Sequence, residues 1–414
     1  MQKVSILSLT FLFSIFSSAQ EQLTLTDTDR LLIKNNLELL VAQYNINIAE
    51  AQKTQAKLFS NPELSVQIPA YSKQEGWLDL KKDIDISLQQ AVQIAGKRKA
   101  GIQLAEGQKE LALQQYELLA KQLKYAVHNS FFTIYYLKQS IDKTHLEISK
   151  IKNIIDALKI QYNKGNITLN ELIRVTASYN SLSNSILELQ NSIDEEKSNL
   201  KTLLLLSPDS DFILSPTSSE LDKYSLDFIN LSDVLAKAEE QQPQIKLAEA
   251  AIRLNKMQLK YEKKQALPDL QFGAGYSKSG EYVPNAVYFS AGIAIPLFNR
   301  NQGNIKTAEY QLKQAQTDKE LQQNILKNKI VWDFGKIKAI LERNSGIDPD
   351  FEKQFDALMT HVSENYMKRN ISLLEFTDLI ETYHEQIVQL NHLKLQQIMA
   401  YEDLDYDTGY NLFN

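Results

Sequence analysis

The side chains that could bind a metal or activate a nucleophile are few and badly spaced for either role. The five histidines are His128, His145, His361, His384 and His392. No two stand at i,i+4, the spacing that would put a pair of imidazoles on one helical face for a metal. Cysteine is absent, which removes disulfides, thiolate metal sites and cysteine nucleophiles. There is no Gly-x-Ser-x-Gly elbow, no Walker loop and no carboxylate pair with catalytic spacing. The expectation is a protein that is not an enzyme, with no catalytic residue, no cofactor and no tightly held metal; any energy for transport must come from a partner. What remains is charge in selected places. Glu375 and Asp378 are three apart and so share one helical face. Glu63, Asp83 and Asp85 occupy the polar positions of two alternating segments. Acids gathered in this way repel one another and draw cations.

The elements that must position these acids are long. The chain has 414 residues, 13 Gly and 9 Pro, roughly 3% and 2% where about 7% and 5% are usual. Turns draw on Gly and Pro, so the segments between turns are long and mostly helical. Ile148, Ile151, Ile155, Leu158 and Tyr162 step by three and four. Val175, Tyr179, Leu182, Ile186, Leu189 and Ile193 resume the pattern after Gly165, and Phe376, Ile380, Tyr383, Ile387 and Leu390 repeat it. These are heptad seams of antiparallel, coiled-coil-like helix pairs. A break at 344–349, with Gly346 and Pro349, should interrupt the second long helix. Net charge is −6 and mean hydropathy −0.33. There is no basic footprint for nucleic acid, and no apolar run of the ~20 residues that a membrane helix needs. Lys3, an apolar run over 4–16 and the small residues Ser17, Ser18 and Ala19 read as a signal peptide, 1–19.

The rest is one unit written twice. Residues 162–172 (YNKGNITLNEL) match 366–376 (YMKRNISLLEF) at an offset of 204. Pro62-Glu63-Leu64 matches Pro268-Asp269-Leu270 at 206, and Ile102, Ala105 and Glu106 match Ile305, Ala308 and Glu309 at 203. The repeats are placed at 20–215 and 216–402, with 403–414 as a C-terminal tail. Each carries two period-two segments, near 62–70 and 82–92 in the first and near 268–277 and 286–297 in the second, then a helical hairpin with its tip near 163–168 or 367–372. Four strands of this kind fit two structures, a small sheet packed on the helices or part of a transmembrane barrel. Four strands cannot close a barrel in lipid, where open edges are forbidden, so the second structure requires an oligomer. The length of the helices favours it.

The order of helix, strand pair, long helix, tip and helix, written twice, resembles the TolC-like outer-membrane factor family. The tip sequences resemble that family's periplasmic tip motif. Ile94-Ala-Gly-Lys-Arg98 and Ile295-Pro-Leu-Phe-Asn-Arg-Asn-Gln-Gly-Asn304 resemble its heavy-metal, CzcC-like branch. The resemblance implies a mainly α fold with a small transmembrane β part, completed as a homotrimer with a 12-stranded β-barrel and an α-helical tunnel. It implies location in the bacterial outer membrane, with helices extending into the periplasm. It further implies that Lys164, Gly165, Asn166, Lys368, Arg369 and Asn370 meet a periplasmic adaptor (membrane fusion protein) linked to an inner-membrane pump of the resistance-nodulation-division type. Glu375 and Asp378 match the family's acidic ring and would gate the closed end. Glu63, Asp83 and Asp85 would line the barrel lumen. The expected function is a passive exit duct for heavy-metal cations. The alternatives are the same channel for drugs or a secreted protein, and a secreted coiled-coil structural or adhesion protein without a pore. Lys97, Arg98, Lys99 and Arg300 are expected as headgroup-level anchors, and Trp77 as an interfacial anchor or a loop-packing residue. Arg369 departs from the family's tip, which carries Gly at the turn in both repeats. A residue other than Gly in the left-handed region costs about 1 kcal/mol.

Overall fold

The computed structural model describes residues 21–68, 70–72, 76–77, 83–226, 229–279, 283–346, 348 and 350–413. The signal-peptide reading of 1–19 lies outside them. In chain order the elements are β1 (Glu21–Leu23), α1 (Leu25–Asn35), α2 (Leu37–Ala56), β2 (Glu63–Gln67), β3 (Tyr71–Ser72), β4 (Gly76–Trp77) and β5 (Asp83–Val92). Then come α3 (Lys97–Asn163), α4 (Leu169–Leu204), β6 (Phe212–Leu214), α5 (Ser218–Asp222), α6 (Leu231–Gln241) and α7 (Pro243–Gln265). The last are β7 (Leu270–Ser279), β8 (Val283–Ile293), α8 (Gln302–Ser345), α9 (Phe351–Met367) and α10 (Leu373–Thr408). The scarcity of Gly and Pro shows in α3, which runs for 67 residues. The break after Ser345 separates α8 from α9.

The chain divides into two units. One gathers the residues up to Lys34 with Val127–Lys223 and Asp356–His392. Its core is the heptad seam: Ile151, Ile155, Leu158, Val175, Leu182, Phe376, Ile380, Tyr383 and Ile387 are all buried. Tyr162 continues the seam by spacing but is 39% exposed. Polar bridges cross this core. His384 Nδ1 lies 3.2 Å from Thr144 Oγ1 and its Nε2 lies 2.8 Å from Ser185 Oγ. Burial lowers the His384 pKa, which keeps the ring neutral. His128 Nε2 meets Asp29 at 3.0 Å. These two histidines therefore tie helices together. A parallel pair, β1 with β6, also belongs to this unit.

The second unit gathers Asn35–Ala126, Tyr224–Phe355 and Leu393–Asn414. Val234, Ile245, Ile330, Phe334, Ile337, Tyr401, Leu404 and Phe413 form one cluster in it. Residues 403–414 are thus not a separate tail. The helix α10 continues to Thr408, because Leu404 is fully buried and Phe413 folds back edge-on to Tyr401, ring centroids 5.1 Å apart. The same cluster edge holds Lys329 on Asp407 and Lys336 on Asp403, each at 3.0 Å. Beside them Asp333 is 1% exposed. Burial, then the neighbouring Asp407, pushes its pKa up to about 8. A four-stranded antiparallel sheet, in the order β2-β5-β7-β8, belongs to this unit. So does the small pair β3-β4. There Trp77 is 80% exposed and its ring lies 5.4 Å from Tyr71.

Candidate functional site

The register of the sheet sorts its residues into two faces. Glu63 pairs with Gln89, Ser65 with Ser87 and Gln67 with Asp85. Asp85 pairs with Ser277, Ser87 with Gly275 and Gln89 with Gly273. Gly275 in turn pairs with Tyr288, and Gly273 with Ser290. Side chains alternate along a strand, so all of these share one polar face, together with Asp83. The sequence-derived acids Glu63, Asp83 and Asp85 therefore stand on the same side of the sheet. The Tyr288 ring lies over Gly275, where a Cβ would have to push it aside. The opposite face carries Leu64, Val66, Ile86, Leu88, Phe272, Val287, Phe289 and Ile293. These are exposed, Phe289 by 86% and Val287 by 73%. A small sheet packed on its own helices would have buried that face. Among the described residues the outer edges of β2 and β8 are also unpaired. No described helix is long and apolar enough to cross a membrane.

Two turns lead from strands into helices, and both motif stretches lie on them. Between β5 and α3, Ala95 and Gly96 take φ of 58° and 78°. Between β8 and α8, Asn301 has φ 59° and its side chain donates to the Glu262 carbonyl at 2.9 Å and to Glu262 Oε2 at 2.7 Å. The basic residues beside these turns correct one expectation. Lys97 is not a headgroup anchor: it is 4% exposed and its Nζ lies 2.9 Å from Asp269. Arg98 donates to the Lys57 carbonyl and covers the Phe59 ring at 4.0 Å. These two cations fasten the start of α3 to the end of α2 and the approach to β7.

The hairpin tips form the second candidate region. At the first tip the Gly165 N–H donates to the Tyr162 carbonyl and the Asn166 N–H to the Gln161 carbonyl, each at 2.9 Å. At the second the Arg369 N–H donates to Tyr366 and the Asn370 N–H to Asn365, again at 2.9 Å. Both are Schellman turns, which need one left-handed residue. Gly165 has φ 75° and Arg369 has φ 62°. The Asn side chains add a strut, from Asn166 to Gln161 at 2.7 Å and from Asn370 to Asn365 at 3.2 Å. The next helices start alike. Thr168 Oγ1 accepts from the Glu171 N–H at 3.3 Å, and Ser372 Oγ from the Glu375 N–H at 3.2 Å. The left-handed residue, the Asn and the hydroxyl N-cap of the repeated motif thus each have a local reason. Lys164, Gly165, Asn166, Lys368, Arg369 and Asn370 are all exposed, as are Glu375 and Asp378 on α10.

One contact at the tips had no sequence signal. The Tyr366 hydroxyl donates to Glu171 Oε1 at 2.8 Å, and its ring stacks on Phe376 with centroids 4.3 Å apart. Burial, then Glu171, raises the Tyr366 pKa above the usual tyrosine range. Arg369 Nη2 reaches the Asn166 carbonyl at 3.5 Å. The second tip is therefore joined to the first by two side chains.

A family model described as "Outer membrane efflux protein" matches residues 30–204 and 234–328. The chain belongs to the outer membrane efflux protein family. Its fold agrees with channels of known structure. The chain is similar to CusC, with TM-score 0.74, 16% identity and 96% of each chain covered. It is also similar to the CmeC outer membrane channel of Campylobacter jejuni, with TM-score 0.75, 13% identity, and 99% of this chain and 94% of that one covered. Among curated proteins it is 24% identical over 298 residues to the cobalt-zinc-cadmium resistance protein CzcC of Cupriavidus metallidurans. That match spans 72% of this chain and 68% of CzcC. The two motif stretches, the four strands of the larger sheet and the first tip lie inside the family match, and the second tip lies beyond it.

Proposed function

We propose that this outer membrane efflux protein is the exit duct of a tripartite efflux system and that its cargo is heavy-metal cations. The observation that carries the duct is the sheet. Among the described residues its apolar face is uncovered, its polar face holds three acids, and both its edges are open. Lipid suits the first, an aqueous lumen the second, and only further strands from other copies the third. Three copies give a 12-stranded barrel, the size of the smaller closed membrane barrels. A coiled-coil adhesion protein without a pore would leave that apolar face unexplained.

The internal repeat fits the same assembly. The ends of α1 and α6 stand 206 positions apart, and α4 and α10 begin 204 apart. Three chains would then place six similar units around a ring. The barrel sits in the outer membrane, the helices extend into the periplasm, and the exposed tips meet an adaptor that links the duct to an inner-membrane pump. The chain has no energy-converting chemistry of its own in this reading; the pump supplies it. The similarity to CzcC and the acids Glu63, Asp83 and Asp85 favour cations as cargo, since a negative lumen concentrates them.

The test is a deletion strain challenged with zinc, cobalt, cadmium, copper and silver. Lowered tolerance to at least one, restored by the intact gene, is expected. Normal tolerance to all five with new sensitivity to drugs would move the cargo to organic compounds and leave the duct standing.

A further inference from the structure

Where α8 packs on the last turns of α10, one carboxylate is buried without a donor. Asp333 of α8 is 1% exposed, and neither of its oxygens accepts a hydrogen bond among the described residues. The neighbouring Asp407 of α10 is buried too. It takes Lys329 on one oxygen at 3.0 Å and leaves the other buried and unbonded. Two buried carboxylates beside one ammonium do not both stay ionised, because like charges repel and burial disfavours each. The other charged groups around them are engaged elsewhere. Lys336 of α8 holds Asp403 of α10 at 3.0 Å. From α3, Lys121 lies 3.5 Å from Asp405, and the Tyr125 hydroxyl donates to Asp403. From α6, Lys237 lies over the Tyr410 ring and Glu239 pairs with Lys327 of α8. Tyr406 of α10 offers only its ring to Lys329, at 5.6 Å. What the two acids lack is one donor, and a proton supplies it. A metal ion in its place would need further ligands, and no three acids or imidazoles among the described residues are grouped to hold one.

We infer that Asp333 and Asp407 share one proton, the Asp333 carboxyl donating to the Asp407 carboxylate, and that this bond is a latch between α8 and α10 which alkaline medium opens. On opening, the proton passes to solvent base and two carboxylates are left to repel across the joint. Helix α8 follows β8, and α10 follows the second tip. The latch therefore ties the helix that leaves the sheet to the helix that leaves the tip. Its pH window follows from the two states of the chain. Burial, then Asp407, holds the Asp333 pKa up to about 8, whereas an unfolded aspartate ionises near 4. The unfolded chain gives up this proton first. The stability from the latch is full below about pH 4 and is lost as pH rises to about 8.

The full chain, purified in detergent, is compared with D333N, whose amide keeps a donor toward Asp407 at every pH. Infrared difference spectra are taken at about pH 6 and about pH 10. The parent should show a protonated-carboxyl stretch, shifted in heavy water, at the lower pH only, and D333N should lack it at both. The thermal midpoint of the parent should fall relative to that of D333N between about pH 5 and about pH 8. D407N gives a second reading should D333N not assemble. With an amide in place of the second carboxylate, the stretch should vanish at a lower pH than in the parent. No such stretch in the parent, one that persists in D333N, or one lost at the same pH in D407N would overturn the shared proton. Midpoints that run parallel in the parent and D333N throughout would overturn the latch.

Discussion

At the first tip the left-handed residue is Gly165, and at the second it is Arg369, yet the two turns close with the same pair of backbone hydrogen bonds. What differs is the surroundings. Tyr366 is sealed against Phe376 and bonded to Glu171, while Tyr162, its twin in sequence, has Leu172 in place of the Phe and stays partly open. Local hydrogen bonds and caps decide the shape of each tip. Tertiary placement decides which tyrosine is bonded within the chain and which stays open.

The comparison can be broken first at the tyrosines. Y366A removes a buried ring and leaves Phe376 without its partner, which should cost the folded subunit about 3–5 kcal/mol. Y162A should cost the subunit less than about 1 kcal/mol. Denaturant unfolding of the detergent-solubilised protein separates the two. The hydrogen bond alone is smaller. Y366F should destabilise by about 1 kcal/mol, and thermal unfolding should show no matching loss in the subunit for Y162F.

At the left-handed positions the expected effects have opposite signs. R369G should stabilise and G165R destabilise, each by about 1 kcal/mol, read as a shift in the unfolding midpoint. A stabilising G165R would mean that the turn does not impose the strain. R369G also loses the bond to Asn166, so its gain should be the smaller of the two.

The last difference is in pH. The Tyr366 phenol has its pKa raised in the folded state by burial and by Glu171, whereas an unfolded tyrosine ionises near 10. The unfolded form then releases its proton first, so the stability from this group is full below about pH 10 and falls as pH rises above it. Y366F should flatten part of that fall in a stability–pH series.

Much of this was legible in the residues. Alternation located the four strands, because a sheet with one polar and one apolar face must write period two into the chain. Glu63, Asp83 and Asp85 could be placed on one side before any register was known. The heptad seams appeared for the same reason. The unread parts lack a period or look alike. Strands β1 and β6 have three residues each, and β3 and β4 two, too short to show alternation. Lys97 sits in a run of three basic residues that reads as solvated, and only the fold brings Asp269 to it. Residues 403–408 read as tail because the heptad argument stopped before them, while Leu404 continues the core. Tyr162 and Tyr366 could not be told apart, since the repeat makes them equal until packing divides them.

The central claim is that the exposed apolar sheet face and its open edges become a closed, water-filled pore when copies assemble. Conductance of the protein, purified from outer membranes and placed in a planar bilayer, tests it most directly. The account predicts discrete, long-lived current steps that favour cations, with a larger step or more frequent opening in the E375A/D378A double variant. Absence of any step from correctly assembled protein, or a double variant indistinguishable from the parent, would contradict it, the first against the pore and the second against the acidic gate.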